Sequence, residues 1–452
     1  MNKNMMSYVI SFVLIIAFFG VLFINKNNKE LENYKELEGT ILAVSNDCLY
    51  IKDKNDEIHY ISHEELKDIK AGQKLLMKYI GIINKNTCKQ SISIIDYSVE
   101  DSETTISLDN DNMFSNYNKQ AYEILKNMTI KEKISQLLLV KVPTTNQIEV
   151  IKNYQFGGYL LYERDFKNKT KLQVQEMINS YQKEAKIPML MAVDEEGGDV
   201  VRISSNPNII EHSFLSPREL YIEGGMELIR DDTVRKSKLL SSLGINLNLA
   251  PVVDVSTNPN DYIYKRTLGE HTDIVMEYSK NVIEASKGHE VSYTLKHFPG
   301  YGNNLDTHLG VSFDNRTLYE IKEINIPPFK TGIESGAEAV LISHNVVTSI
   351  DNTTSASLSN EIHDMLKNDL NFKGIIITDD LSMTGIHNTD AISKYVKAIT
   401  SGNDLLIVTD YEEAMRDIMN AVTSNKISEE LIDEAALKII SWKYYKGMII
   451  SK

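Results

Sequence analysis

The segment Gly374–Met383 (GIIITDDLSM) decides the fold class of this chain. Its apolar residues run without interruption into Thr378 and Asp379, which is typical of a strand buried on both faces. The same pattern recurs in SQLLLVKV, GGYLLY, MLMAVD, INLNLAPVVDV, VSYTLKHF, AEAVLISH and NDLLIV. Helix-period segments such as Lys171–Lys186 separate these runs. The alternation predicts an α/β fold, and eight such units predict a closed (β/α)8 TIM-type barrel over residues 119–452.

Several of the predicted strands end in polar side chains. These ends are Asp194, Asp254, Lys296 with His297, His344 and Asp379. The active site of such a barrel is built from the C-terminal ends of its strands. One carboxylate after a strand means little, but five polar ends in one domain predict a functional site at the barrel mouth.

The charge balance limits the class of partner. The 452 residues carry a formal net charge of −15, and the sequence pI is near 5.2. No basic patch is available to displace counterions, so we expect neither nucleic acid nor anionic lipid as a partner and favour a neutral sugar polymer or a small molecule. The two cysteines, Cys48 and Cys88, lie outside the predicted barrel, which argues against a cysteine nucleophile.

The N-terminus carries an uncharged apolar run from Met5 to Ile24. This run is about as long as a helix that crosses the hydrocarbon core of a bilayer. A cleaved signal peptide is the alternative, but its apolar part is usually shorter, and no small-x-small cleavage site follows. We therefore expect a transmembrane anchor over residues 1–25 and a polar stalk over residues 26–38. The expected localisation is the cell membrane, single-pass, with the catalytic domain outside the cell.

Two further segments separate the stalk from the barrel. Residues 39–100 contain short alternating runs such as GTILAV, EIHYIS and SISIIDYSV, which predict a small all-β domain. We interpret this domain as a spacer or a weak binding module. Residues 101–118 (DSETTISLDNDNMFSNYN) are acidic and poor in apolar residues, which predicts a linker.

The stretch Lys296–His308 (KHFPGYGNNLDTH) combines a strand end with a loop. The loop carries Asp306 and His308 two positions apart. In an Asp-x-His pair the carboxylate can hold one ring nitrogen and leave the other free to exchange a proton. Because histidine titrates near neutrality, His308 is a candidate general acid and base.

The neighbours Asp379 and Asp380 point to opposite faces if both continue the strand, so only one can face the barrel mouth. A carboxylate at the position of Asp379 could attack an anomeric carbon and form a covalent glycosyl-enzyme. Asp380 suits a helix N-cap instead. Upstream, AVDEEGGDVVRI places Asp194 before a double-glycine turn, after which Arg202 could return to the pocket.

Taken in order along the chain, these motifs resemble glycoside hydrolase family 3, in its β-N-acetylglucosaminidase branch. The resemblance runs from NMTIKEKISQLLL to the C-terminus through GGYLLYERD, DEEGGDVVR, NLAPVVDV, KRTLG, KHFPGYG, DTH, ISHNVV and ITDDLSM. It implies a retaining mechanism with Asp379 as nucleophile and with His308, held by Asp306, as acid and base. It also implies sugar-binding roles for Asp194, Arg202, Arg266, Lys296 and His297.

The resemblance further implies a function, namely exo-hydrolysis of terminal β-linked N-acetylglucosamine from cell-wall-derived or related glycans, as in peptidoglycan turnover. The chain departs from the family pattern at three places. Tyr301 replaces the histidine of a Gly-His-Gly loop, the loop is one residue shorter before Asp306, and Asp199 stands where a basic residue often follows Glu-Gly-Gly. The first two departures affect the catalytic loop, and the third affects recognition beyond the first sugar.

Other functions stay open at this point. A family-3 β-glucosidase is similar but takes its acid from a second domain, whereas the chain after Asp379 suffices only to complete the barrel. A phosphorylase is an alternative, because a neutral histidine repels phosphate less than a carboxylate does. A catalytically silent wall-binding protein is another. A metal hydrolase would need His297, His308 and Asp254 to cluster, but no HxH or HExxH spacing occurs, so we expect no metal and no cofactor. If His308 is not the acid, Glu195 is the next candidate.

Overall fold

The computed structural model describes residues 34–44, 48–55, 57–62, 66, 69–83, 91–101, 106–269, 271–302, 304, 306–307, 309–388 and 392–450. The chain divides into two compact units, Met1–Glu103 and Thr104–Lys452. The predicted anchor over residues 1–25 lies outside the described residues, as does most of the predicted stalk.

The predicted single-pass localisation in the cell membrane is contradicted. Across the described residues, no helix combines the length and the apolar composition that a membrane crossing requires. The longest described helix, Pro217–Ser242, is long enough, but it carries charged residues along its whole length.

The first unit is an antiparallel sheet of five strands: β1 (Lys35–Val44), β2 (Leu49–Asp53), β3 (Ile58–Ile61), β4 (Gln73–Ile82) and β5 (Ser91–Asp101). Their order is β3-β2-β1-β4-β5. Alternate side chains such as Ile41, Ile51 and Leu75 form its buried core. The first strand begins inside the predicted stalk, because residues 35–38 pair with residues 76–79 of β4.

The second unit contains a ring of parallel strands: β6 (Leu138–Lys141), β7 (Gly158–Leu160), β8 (Leu190–Val193), β9 (Leu247–Asn248), β10 (Ser292–Phe298), β12 (Ala339–Ile342), β14 (Ile375–Thr378) and β15 (Leu406–Val408). Two short strands, β11 (Phe313–Asp314) and β13 (Val346–Val347), pair with each other beside it. The ring has the order β14-β12-β10-β9-β8-β7-β6-β15. An isolated bridge between Ile377 and Leu405 nearly closes it. The predicted α/β fold with an eight-stranded TIM-type barrel is confirmed.

The helices are α1 (Asn118–Leu125), α2 (Ile130–Gln136), α3 (Gln147–Tyr154), α4 (Glu163–Phe166), α5 (Lys171–Glu184), α6 (Pro217–Ser242), α7 (Thr272–Ser286), α8 (Leu318–Glu320), α9 (Ile326–Glu334), α10 (Asn360–Asp364), α11 (Lys394–Ser401), α12 (Tyr411–Thr423) and α13 (Glu429–Tyr445). A π-helical turn (Ile321–Asn325) joins α8 to α9, and another (Met365–Asp369) extends α10. Capping boxes at Thr129, Thr170 and Ser216 begin α2, α5 and α6, because each side chain satisfies a free backbone N–H.

The segment predicted as a linker, residues 101–118, contributes to described secondary structure at both of its ends. It starts as the last residue of β5 and ends as the first residue of α1. Between them Phe114 is fully buried, and its ring stacks on Trp442 of α13 with centroids 6.1 Å apart. Phe114 thus packs part of this acidic segment against α13.

Candidate active site

The polar strand ends meet at one mouth of the barrel. Asp194, Glu195 and Glu196 follow β8 directly, Lys296 and His297 lie within β10, and Asp379 follows β14. Since all eight strands of the ring are parallel, their C-terminal ends lie on the same side. The sequence predicted this convergence for Asp194, Lys296, His297 and Asp379.

A buried cluster of charges occupies the β8 and β10 side of the mouth. The Lys296 Nζ atom lies 2.7 Å from Asp194 Oδ1 and 2.6 Å from Glu196 Oε1. Arg266 binds the same Glu196 carboxylate with two hydrogen bonds, of 2.7 and 2.9 Å. Burial alone would raise the pKa of Glu196, but Arg266 and Lys296 bring it well below its usual range. The carboxylate is therefore ionised, and both cations are fixed before any ligand arrives.

His297 is oriented by a carboxylate behind it. Its Nδ1 lies 2.8 Å from Asp254 Oδ2, and Asp254 is fully buried. Because a carboxylate only accepts hydrogen bonds, Nδ1 carries the proton and donates it. The Nε2 atom lies 3.3 Å from Arg266 Nη2, so its lone pair faces a cation at the mouth. This arrangement brings His297 and Arg266 together, as their shared sugar-binding prediction requires.

Arg202 lies on the opposite flank of Asp194. Its guanidinium is 3.7 Å from Asp194 Oδ2 and lies over the ring of Tyr162, 5.4 Å from the centroid. The Arg202 Nε is buried and has no hydrogen-bond partner within the described part of the chain. A buried donor of this kind is costly unless a ligand or water occupies it. The Arg202 Nε–H is therefore a hydrogen-bond donor that a ligand or water could satisfy.

The two neighbouring aspartates after β14 have different surroundings. Asp380 accepts hydrogen bonds from the Ser382 N–H and the Thr409 hydroxyl, both at 2.9 Å, and so holds the turn. Asp379 accepts only one described hydrogen bond, from the Asp380 N–H at 2.8 Å. Burial alone would raise the pKa of Asp379, but the neighbouring His344 and His297, this hydrogen bond and the Lys296 ammonium lower it below its usual range. Asp379 is thus an ionised carboxylate with oxygen lone pairs to spare.

His344, which follows β12, contacts the turn that carries Asp379 and Asp380. Its Nδ1 lies 2.7 Å from Ser357 Oγ, and its Nε2 lies 3.0 Å from the Asp380 carbonyl oxygen. A carbonyl can only accept, so Nε2 carries the proton and Nδ1 accepts from the serine. Burial lowers the pKa of His344, which keeps the ring neutral. His344 is therefore a support for the Asp379 turn rather than a proton-transfer group.

The predicted acid/base dyad lies on the loop that follows β10. Asp306 is half-buried. Burial raises the pKa of Tyr262, and the charges of Asp306, Glu196 and Asp379 raise it further. Asp306 is therefore close enough to Tyr262 for its charge to act on the phenol. His308 lies outside the described residues, so its role stays a prediction.

A comparison with known protein families identifies the barrel. A family model described as the glycosyl hydrolase family 3 N-terminal domain matches residues 129–442. The chain belongs to glycoside hydrolase family 3. It is accordingly a glycoside hydrolase.

Individual relatives of this family 3 chain are distant. A protein named beta-hexosaminidase from Xylella fastidiosa is 27% identical over 303 residues, which cover 64% of this chain and 88% of the relative. A solved family 3 β-N-acetylglucosaminidase from Paenibacillus is 25% identical with a TM-score of 0.66. That match covers 72% of this chain but only 64% of the Paenibacillus chain. The structure of LpqI from M. tuberculosis is 25% identical with a TM-score of 0.62, covering 71% of this chain and 95% of the other.

Two glutamates of this family 3 site have roles that the sequence did not reveal. Glu196 is the anion that holds Arg266 and Lys296, although the sequence alone assigns it no role. The sequence feature that could have revealed Glu196 is its position, since this carboxylate lies close to a strand end in a chain whose other strand ends carry predicted cations. Glu195 was the reserve candidate for the acid, but its buried carboxylate accepts from the N–H groups of Arg202, Ile203 and Ser204 at 2.8 to 3.2 Å. Glu195 therefore holds the loop that carries Arg202.

One group among the described residues has the spacing of a metal site, and it lies in the small β unit. The ligand atoms of Asp53, Glu57 and His59 lie within 4.8 Å of one another. His59 Nε2 is 3.0 Å from Asp53 Oδ2, and Asp53 also accepts from the N–H groups of Asn55 and Glu57. These contacts explain the cluster as a closed turn between β2 and β3.

Proposed function

We propose that this chain is a retaining exo-β-N-acetylglucosaminidase that releases terminal β-linked N-acetylglucosamine from cell-wall-derived or related glycans. Two similar proteins support the sugar, since one is named a beta-hexosaminidase and the other a β-N-acetylglucosaminidase. The observation that carries the proposal is that the ionised Asp379 lies at the same barrel mouth as a preformed cluster of buried charged side chains, Asp194, Glu196 and Lys296.

The proposed reaction has two steps. In the first, an Asp379 oxygen attacks the anomeric carbon, the glycosidic bond breaks, and His308 gives its proton to the leaving oxygen. In the second, His308 takes a proton from water, which attacks the same carbon and releases Asp379. Two inversions give net retention. Asp306 orients the imidazole and stabilises its charged form.

The charge cluster supplies the binding of the sugar in this proposal. Asp194 can accept from sugar hydroxyls, while Lys296, Arg266 and Arg202 can donate to them. His297 accepts from Arg266 at Nε2 and so orients this guanidinium. Because Glu196 already holds Arg266 and Lys296, and Asp254 already holds His297, little conformational entropy is lost when the sugar binds.

The full chain should be assayed with aryl β-N-acetylglucosaminide and aryl β-glucoside, each with and without phosphate. We expect hydrolysis of the N-acetylglucosaminide, unaffected by phosphate, with a β-configured first product. Preference for the glucoside would favour a β-glucosidase. Formation of a sugar 1-phosphate would favour a phosphorylase, and inertness towards both substrates would favour a wall-binding protein.

A slow 2-fluoro substrate tests the nucleophile directly. It should form a covalent adduct on Asp379, detectable by mass spectrometry of the peptide that carries it. An adduct on Asp380 or Asp194 would refute the assignment.

A further inference from the structure

Tyr301 anchors the loop that carries the predicted acid/base dyad. Its side chain is only 2% exposed, although it lies in a loop. Its backbone N–H donates to Asp254 Oδ1 at 2.6 Å, and its carbonyl accepts from the Asn304 side chain at 2.7 Å. The start of the loop is therefore tied to the carboxylate that orients His297.

The phenol of Tyr301 reaches across to the far side of the loop. Its oxygen accepts from the backbone N–H of Thr307 at 3.0 Å and lies 3.2 Å from the Thr307 hydroxyl. Thr307 is the residue between Asp306 and His308. Burial raises the pKa of the Tyr301 phenol, so it stays protonated at neutral pH and keeps both its donor and its acceptor. One side chain thus fixes the backbone in the middle of the dyad.

Neighbouring groups leave the Tyr301 ring little freedom. The ring makes an edge contact with His297 and a tilted contact with Tyr262, each with centroids 5.5 Å apart. On the other side of the loop, the backbone of Gly385 lies so close to the Thr307 carbonyl oxygen that a Cβ atom would collide with it. Thr307 is therefore held between the phenol and the turn after β14.

We propose that Tyr301 is a positioning residue, which sets the acid/base dyad relative to Asp379 by holding the Thr307 amide. This inference rests on the proposed function. Removal of the phenol oxygen would leave the Thr307 N–H buried without a partner, which is costly. The backbone between Asp306 and His308 would then lose this anchor, so we expect the proton transfer assigned to the dyad to slow.

The test is Tyr301→Phe in the full chain, with Tyr159→Phe as the matched control. Tyr159 is also fully buried and donates one hydrogen bond, to the Gln147 carbonyl at 3.0 Å. On substrates with poor leaving groups, Tyr301→Phe should lower kcat about ten-fold with little change in KM. The burst rate with an activated aryl leaving group should match that of Tyr159→Phe, because that step needs no proton. Equal losses on both leaving groups would indicate a merely structural role.

A second measurement does not depend on activity. Hydrogen exchange at the Thr307 amide should be about ten-fold faster in Tyr301→Phe than in Tyr159→Phe. Unchanged exchange would overturn the inference even if the enzyme hydrolyses N-acetylglucosaminides. A wild-type chain inert towards these substrates, with the faster exchange present, would instead refute the proposed function and leave the contact established.

If Tyr301→Phe does not fold, Thr307→Val provides the alternative variant, because it removes only the threonine hydroxyl. We expect a smaller loss with the same dependence on the leaving group, and recovery in Thr307→Ser. An equal loss in Thr307→Val and Thr307→Ser would count against the inference.

Discussion

The strand-end cluster and the catalytic loop are built in different ways. In the cluster, Lys296 and Glu196 are 2% and 4% exposed, and their charges meet at 2.6 Å. In the loop, Thr307 is held through the neutral phenol of Tyr301 and backbone contacts. The proposed binding groups are thus fixed by buried charges at strand ends, whereas the proposed proton-transfer groups depend on hydrogen bonds that are individually weak.

This difference has an energetic consequence. A buried ion that loses its partner leaves an uncompensated charge, so the cluster should respond to substitution with large losses of stability. A loop that loses one hydrogen bond changes geometry at modest cost. Substitutions in the two regions should therefore differ in their effects on stability, on the individual reaction steps and on pH dependence.

The largest effect is expected at Asp379, the strand-end group assigned to the chemistry itself. Asp379→Asn should lower kcat by at least roughly 10³-fold, since the amide is not a nucleophile. Thermal unfolding should remain cooperative. Asp380→Asn is the matched control, because Asp380 holds only the turn through Ser382 and Thr409. An equal loss in both variants would contradict the separation of the two aspartates.

Glu196→Gln tests the strand-end cluster. It leaves Lys296 and Arg266 without their shared anion, so we expect a loss of about 3–5 kcal/mol in the free energy of unfolding and a raised KM. Denaturant unfolding and steady-state kinetics measure the two effects. Glu219→Gln, in the exposed capping box of α6, should change stability by less than about 1 kcal/mol because glutamine also caps.

The wild-type chain and the Glu196→Gln variant can also be compared as the pH is changed. The pKa of Glu196 is lowered by folding, so its contribution to stability is complete above its ordinary pKa near 4.5 and is lost as the pH falls below it. The stability difference between wild type and Glu196→Gln should therefore shrink on acidification. A constant difference down to the acid unfolding transition would mean that the ion pairs are not its cause.

His308→Ala tests the loop. On poor leaving groups it should cost about 10²-fold or more in kcat, while stability changes little. An activated aryl substrate should give a rapid burst followed by slow turnover, because only the second step then needs the base. Azide should restore turnover as glycosyl azide, and Asp306→Asn should be milder. Near wild-type turnover of natural glycans by His308→Ala would refute the dyad.

The sequence predicted the eight barrel strands because each is a continuous apolar run, and that pattern is local. The convergence of Asp194, Lys296 and Asp379 followed from the geometry of parallel strands. Glu196 could not be distinguished from Glu195, because their orientations depend on the turn at Gly197 and on partners far away in the sequence. Tyr301 was visible only as a departure from a family pattern, since its partner Thr307 is set by the loop conformation. An uncharged N-terminal run alone did not suffice to establish a localisation.

The smallest expected effect is a shift in the pH dependence of glycosyl-enzyme formation. It should distinguish the strand-end cluster from the loop. Asp379 must be ionised to attack, so the rate of glycosyl-enzyme formation falls at low pH as this carboxylate becomes protonated. Burial raises the pKa of Asp379, and His344, His297, the Asp380 N–H and the Lys296 ammonium lower it. Lys296→Met should therefore raise that pKa and move the acidic limb of the burst rate to higher pH.

Two controls complete this comparison. Lys141→Met removes a cation that lies over the Tyr162 ring, 4.6 Å from its centroid, and should leave the acidic limb in place. Tyr301→Phe should also leave it in place and change only the steps that depend on the loop. If the loop variant moves the acidic limb as far as Lys296→Met does, the two regions are not electrostatically distinct. Tyr301 would then act on the nucleophile as well as on the dyad.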